Sequence, residues 1–538
     1  MPVAYFRSLR GNSMETPPPS GGSQAATEEV LQTVTRLKEA IWKRRPILGD
    51  IMQKHGGKLL SRYSEDFMDV NPAPGLDERK PELISMVEEL VTGRLGAEVG
   101  RGVAQQLSKL ALVSTADHHS INQHPFFLNA EIISGIPLYE HPDPTLRYMI
   151  AFSFASVSVN NQSGFARGLL FNGGVNGSNN LIKLPILADR YKMSVVYGCK
   201  PYTREDLTKA ENEIRKKARA GEITAPRAEK VLALMEEILG SSEVLGASNF
   251  CSQLTRINYY YWPKLFHGRG GQASDAKHPV PNLIYLDIET LVTHTLLRFH
   301  LENSDSLLHH VLFDATLWPL LLKHFDGIPG AFSKEKDWGT FLFWGFDEKK
   351  HRVRLFLEAG KLVCRDRCIE IELTPAALAE ALRTKRIVPS MLLSYLVVSL
   401  YYGMKCLGGF CQVHDLTLCK EAWMQLLLEI GETSEAEAIV PVQTKELGGD
   451  GLVLAYLKTA TGNTVPAMGF DMILDEGDTS FDHFVDLSKR VTLAEMMAPM
   501  LPEMYTVLYS EQDRDLALLS AKPEDIFRAV GLEEKLVK

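Results

Sequence analysis

An α+β protein is expected from this chain on three observations. Helix-spaced apolar residues dominate both ends, β-rich runs gather between residues 110 and 200, and a second alternating stretch covers 339–373. The expected order is a helical N-terminal region, a central mixed β-sheet layer, further helical segments and a small antiparallel β-meander.

The first 27 residues, with Thr16, three prolines and Gly21-Gly22, read as a disordered leader without the apolar core of a signal peptide. From 28 to 109 the spacing is helical. Val30, Leu31, Val34, Leu37, Ile41 and Leu48 recur at three and four, Pro46 interrupts them, and a second helical run from Pro81 to Leu110 is loosened by Gly96, Gly100 and Gly102. A β-rich region, 110–202, follows. Its runs are Met149–Val159, Ala166–Phe171, Leu181–Leu187 and Met193–Tyr197, and the Gly- and Asn-rich segment 172–180 suits a hairpin loop. Residues 203–240 predict a charged, solvated helical hairpin. Glu205 to Lys209, Glu211 to Arg215 and Glu213 to Lys217 are i,i+4 pairs, and Gly221 and Pro226 mark the turn. A helical region at 241–335, the meander at 336–374 and a mostly helical stretch at 375–538 complete the chain. The apolar run Met391–Met404 is too short to span a bilayer, which needs about 20 apolar residues, and predicts a core helix.

At 538 residues, with 45% hydrophobic and 23% charged residues, the chain can build a large core. A net charge of -9 spread over both signs gives no nucleic-acid footprint. Seven cysteines in no dense framework predict a reduced, cytoplasmic protein. The expected partner is a small molecule, with neither nucleic acid nor membrane; a homo-oligomer stays open. Nucleotide-cofactor motifs are missing: there is no Walker loop, and Gly268–Ala273 leads into a proline-rich loop rather than a helix.

The most chemical stretch runs from Leu110 to His124, where an apolar strand delivers Asp117, His118 and His119, with His124 before a proline. Carboxylate and imidazole bind borderline divalent metals and also exchange protons. Successive residues on an extended chain point to opposite faces, so Asp117 and His119 can share a site that His118 leaves. Asp117, His119 and His124 are therefore the expected ligands of a divalent metal (Zn, Mn or Fe), with Glu131 a further carboxylate. His118 and His119 are candidate catalytic groups. So are His310 and Asp314, an i,i+4 pair preceded by Glu289, His294 and His300, whose helix would pack over the strand end. Arg167, on a β-rich stretch, is expected to pair a carboxylate such as Asp117 or to clamp an anionic substrate; Asn258, Tyr259 and Trp262 could line a pocket, although an aromatic stripe of this kind is more often core. Cys406, Cys411, His414 and Cys419 offer zinc-type ligands without a clean paired spacing, and ordinary buried thiols are the expectation there.

The triplet Asp117-His118-His119 resembles the signature of the DHH phosphoesterases, which implies manganese held by these residues. The family's upstream aspartate-rich strand end has no counterpart, since Glu65-Asp66-Phe67-Met68-Asp69 lies in a different setting. The residues lead to a metal-dependent hydrolase or related acid–base enzyme acting on a small polar or anionic substrate. Two alternatives stand beside it: a metal-free biosynthetic transferase or lyase with a histidine base, and a non-enzymatic scaffold using the charged hairpin and the 391–404 run.

Overall fold

The computed structural model describes residues 24–174, 180–269, 276–458, 464–475 and 477–537. Most of the predicted leader and the tip of the 172–180 loop lie outside them, as does most of the Gly268–Ala273 segment. Helices hold 53% of the chain and strands 13%, in several small sheets, which is an α+β composition.

The N-terminal helices are α1 (Gln24–Arg44) and α2 (Pro46–His55), divided at Pro46, then α3 (Lys80–Leu95) and α4 (Ala97–Lys109), divided where Gly96 takes φ +100. Strand β1 (Leu112–Ser114) then leads through the acid–histidine segment into α5 (Pro125–Glu140). Every residue of α5 from Pro125 to Tyr139 is buried. A helix apolar all round has no amphipathic stripe, so periodicity does not announce it.

The central sheet joins β1 to β2 (Tyr148–Ser153), β2 to β5 (Asn282–Asp287), and β1 on its other side to β12 (Lys405–Leu407). All three pairings are parallel. The sheet is thus parallel rather than mixed, and two of its strands fall where sequence predicts helix. β5 is a six-residue buried run between helices, and β12 has three residues, so neither shows period-two alternation. The sheet separates two cores, as a parallel sheet requires. Met149, Ala151, Leu283 and Tyr285 enter one, and Tyr148, Ile150, Phe152, Ile284 and Leu286 enter the other. Because β12 returns to the far side of β1 from β2, the chain order reverses between β1 and β12. Crevices at such reversals, outside the carboxyl ends of the strands, are the usual ligand sites of parallel sheets.

Around this sheet, β3 (Gly168–Asn172) and β4 (Leu181–Pro185) form the expected antiparallel hairpin. The charged hairpin is α6 (Arg204–Arg219) and α7 (Ala225–Leu234), turning at Gly221 with φ +73. Its apolar face is docked while its charged face stays in solvent: Leu207, Ala210, Ile214, Ala228 and Val231 join the first core, Arg227 pairs with Asp471 and Asp475, each at 2.7 Å, and Glu205, Lys209 and Lys216 are exposed. Helix α8 (Phe250–Tyr261) lies against β5, and α9 (Ile288–Thr295) and α10 (Leu307–Phe313) follow that strand.

The single predicted meander divides between two three-stranded antiparallel sheets, and its first residues, Trp338–Gly339, pair separately with Phe332–Ser333. β6 (Phe343–Phe346) and β7 (Arg352–Arg354) are joined by β11 (Ile387–Pro389), while β8 (Phe356–Glu358), β9 (Lys361–Val363) and β10 (Glu370–Glu372) form the second. Residues 392–402 are buried in helical conformation, the expected core segment, and no helix among the described residues is long and apolar enough to cross a membrane. After β12 comes α11 (Gln412–Glu429).

Candidate active site

Parallel pairing continues past the end of β1. His119 donates its amide to Phe154 O (2.8 Å), and Phe154 donates to Asp117 O (2.8 Å). The 117–119 segment is therefore extended, and its side chains alternate. Asp117 and His119 flank Tyr285: the Tyr285 hydroxyl faces Asp117, and the His119 ring stacks on the tyrosine with centroids 5.5 Å apart. His118 turns the other way, as alternation predicts.

His119 is wholly buried and fully occupied. Its Nε2–H donates to Cys251 O (3.1 Å), which as a carbonyl can only accept, so Nδ1 accepts from the Ser153 hydroxyl (2.7 Å). Beside it Asp287, also wholly buried, pairs with Arg94 at 2.7 Å and accepts from the Thr290 hydroxyl. Burial would raise the Asp287 pKa, but the Arg94 charge, the neighbouring His119 and the hydrogen bonds from Thr290 and Arg94 together outweigh it and hold the carboxylate down at about 2. His119, Cys251 and Asp287 present ligand atoms within 4.8 Å of one another, so this group could hold a metal ion; Cys364, Asp366 and Cys368 are the other such group among the described residues. At the first group, however, both His119 nitrogens are engaged and Asp287 is neutralised by a buried arginine. This donor set acts as a knot joining β2, β5 and α8, and an ion would have to displace Arg94.

A second cluster stands toward the switch point. Burial raises the pKa of Glu131, in the middle of α5, to about 7. Asp117 is pushed well above the carboxylate range by burial and then by Glu131. Asp450, raised to about 7 by burial, adds to the repulsion. Gly409, between β12 and α11, makes room for it, since a Cβ there would lie 2.3 Å from the Asp450 carboxylate. Two buried acids that repel each other cannot both ionise readily, so the Asp117–Glu131 pair retains a proton near neutral pH.

His118, half-buried, has a different environment. Its Nδ1 lies 3.1 Å from Asn161 Oδ1 and 3.3 Å from Ser163 Oγ. Asn161 Oδ1 is identified as the oxygen because it also accepts from the Ser163 amide (3.0 Å) and hydroxyl (2.8 Å). Nδ1 therefore carries the proton and Nε2 keeps its lone pair. Burial lowers the His118 pKa to about 4, with a small contribution from Arg352 and against the hydrogen bond to Asn161, which raises it, leaving the ring neutral at pH 7. Arg352 donates to Ser156 O (3.1 Å) and lies over Trp344, 4.0 Å from its ring centroid. Glu289 holds the neighbouring backbone by accepting from the amides of Ala155 (2.8 Å) and Ser156 (2.7 Å).

The predicted metal triad does not converge. His124 is the N-cap of α5, its Nδ1 accepting from Phe126 N at 3.3 Å, and its charge neighbours are Lys183 and His118 rather than Asp117. Arg167 pairs with Asp189, not Asp117, and donates to Leu187 O (2.8 Å), which bends the chain after β4. Asn258 staples the site loop to α8: it accepts from Asn122 N (2.7 Å) and donates to Ser120 O (2.8 Å). Tyr259 is half-buried beside Tyr260 and faces Asn282 at the opposite end of β5 from Asp287. His310 is exposed on α10, and Asp314 caps that helix and accepts from Thr316 N (2.8 Å) and Oγ1 (2.7 Å), so the pair does not complete the site. Cys406, Cys411, His414 and Cys419 form no metal-ligand group.

Sequence reasoning missed Arg94, Ser153, Tyr285, Asp287 and Asp450 as members of the site. The apolar run Leu283–Leu286 ending on Asp287 and Glu289 carried the usable signal, the same strand-to-acid pattern as at Asp117. Compared with protein-family models and with curated proteins, the chain matches none.

Proposed function

We propose that the chain is a metal-free acid–base enzyme, of the transferase or lyase type, acting on a small anionic molecule with His118 as general base. One observation carries this reading: at the carboxyl edge of a parallel sheet a neutral imidazole has its tautomer fixed by Asn161, so that Nε2 can accept a proton. The charges of Arg352 and Lys183 bear on His118 and His124 and favour a carboxylate or phosphate nearby. The imidazolium formed in the reaction would keep its hydrogen bond to Asn161. Metal-assisted hydrolysis stays as a second reading because His119, Cys251 and Asp287 cluster within 4.8 Å. For the scaffold reading, most of the 391–404 run is buried, and the exposed charged face of the hairpin is the remaining surface.

The test is turnover of a defined panel of carboxylate- and phosphate-bearing metabolites, followed by mass spectrometry after exhaustive chelation. Turnover by wild type that falls roughly 100-fold or more in His118→Gln, the range typical of a lost general base, is the expected result. Equal turnover in a folded His118→Gln overturns the assignment. Activity restored by one metal and lost in Asp287→Asn selects the second reading.

A further inference from the structure

A cluster remote in chain from the candidate active site offers soft ligands. Strands β9 and β10 pair antiparallel, Val363 opposite Glu370. The turn between them is closed by Cys364 N to Ile369 O (3.1 Å) and Arg367 N to Cys364 O (3.0 Å), with Arg367 at φ +58. This conformation folds the segment back on itself. Cys364 Sγ comes 2.9 Å from Cys368 Sγ and 2.9 Å from Asp366 Oδ1, and the Cys368 amide donates to that same oxygen (3.3 Å). Two sulfurs and a carboxylate oxygen thus lie within 4.8 Å of one another.

We propose that Cys364, Asp366 and Cys368 form a binding site for one thiophilic divalent cation of the zinc type, with a fourth position open to water. The donors select the ion. Thiolates favour zinc over magnesium or calcium, which take all-oxygen shells. Zinc–sulfur bonds of about 2.3 Å in a tetrahedral shell place two sulfurs roughly 3.7 Å apart. The present pair must open by less than about 1 Å, and Cys368 can move because it is exposed on the turn. Cys364 is buried and adjoins Leu362, Ile369 and Ile371, which lie in the second core, so an ion would fasten the exposed tip to a fixed base. A thiol must lose its proton to become a zinc ligand. Binding therefore releases both thiol protons to solvent as the two metal–sulfur bonds form.

The experiment uses the full chain, reduced, chelator-treated and desalted, titrated with cobalt(II) and then displaced with zinc(II). Expected are one equivalent of cobalt with a thiolate-to-metal charge-transfer band, its loss on adding zinc, and about two protons released per zinc in weak buffer. Cys368→Ser should remove the band, Asp366→Asn should weaken binding roughly tenfold, and Cys251→Ser should leave both unchanged. A wild-type protein without the band at equimolar cobalt, or a band that survives in folded Cys368→Ser, overturns the proposal.

Discussion

Replacing Glu131 by glutamine tests the buried-acid pair through stability alone. Glu131 is wholly inaccessible, and its pKa is about 7 in the folded protein against 4.5 for the free group. Below pH 4.5 the group is protonated in both states and costs nothing through ionisation. As pH rises, the unfolded chain releases this proton first, so the folded state loses relative stability until its own group ionises near pH 7. Between pH 5 and pH 8 the loss spans two pH units, about 3 kcal/mol at 1.36 kcal/mol per unit. Glutamine has nearly the same shape and never ionises. Denaturant unfolding of wild type and Glu131→Gln at both pH values should show the variant gaining about 3 kcal/mol on wild type between pH 5 and pH 8. A stability difference that does not change with pH would refute the claim that Glu131 holds a proton in the fold. A variant that loses ground at pH 8 would show instead that Glu131 is a needed anion.

Three further outcomes follow from the site. With a substrate in hand, kcat/KM should be level from pH 7 to about pH 5 and fall below it with the His118 pKa of about 4; a limb near 6.5 would place the base elsewhere. Asn161→Ala should lower kcat by roughly tenfold to 100-fold with KM little changed, because the ring loses its fixed tautomer, and Asn161→Asp should move the acid limb upward; parallel changes in KM would make Asn161 a substrate ligand. Arg94→Met should destabilise the fold by about 3–5 kcal/mol, the cost of an uncompensated buried carboxylate, and adding Asp287→Asn should recover part of it; additive losses in the double variant would show that the pair is not coupled.

How much was legible depended on what each segment buries. Helices with one polar face, such as those on either side of Gly96 and the 203–240 hairpin, show their period because one side meets water. The strands β5 and β12 and the helix α5 are buried on all sides, so their residues alternate with nothing, and these elements complete the sheet edge where the site forms. The strand-end acid and histidines were legible because polar residues at the end of an apolar run need partners. Their division of labour was not. Alternation separates His118 from its neighbours, but nothing in the spacing shows that Ser153 and Cys251 occupy both His119 nitrogens, or that Asn161 holds His118. Those partners lie 34, 132 and 43 residues away in the chain, brought together only by the parallel crossovers.

The central claim is that His118 stands neutral, with its proton on Nδ1 and Nε2 ready to accept another. Long-range nitrogen–proton NMR of histidine-labelled protein reads this directly, with His118→Asn assigning the signal. The expected result is one imidazole with a protonated Nδ1 and a bare Nε2 at pH 7, titrating near pH 4 and missing from the variant. A His118 signal with the proton on Nε2, or one that titrates near its ordinary value of 6.5, would contradict it.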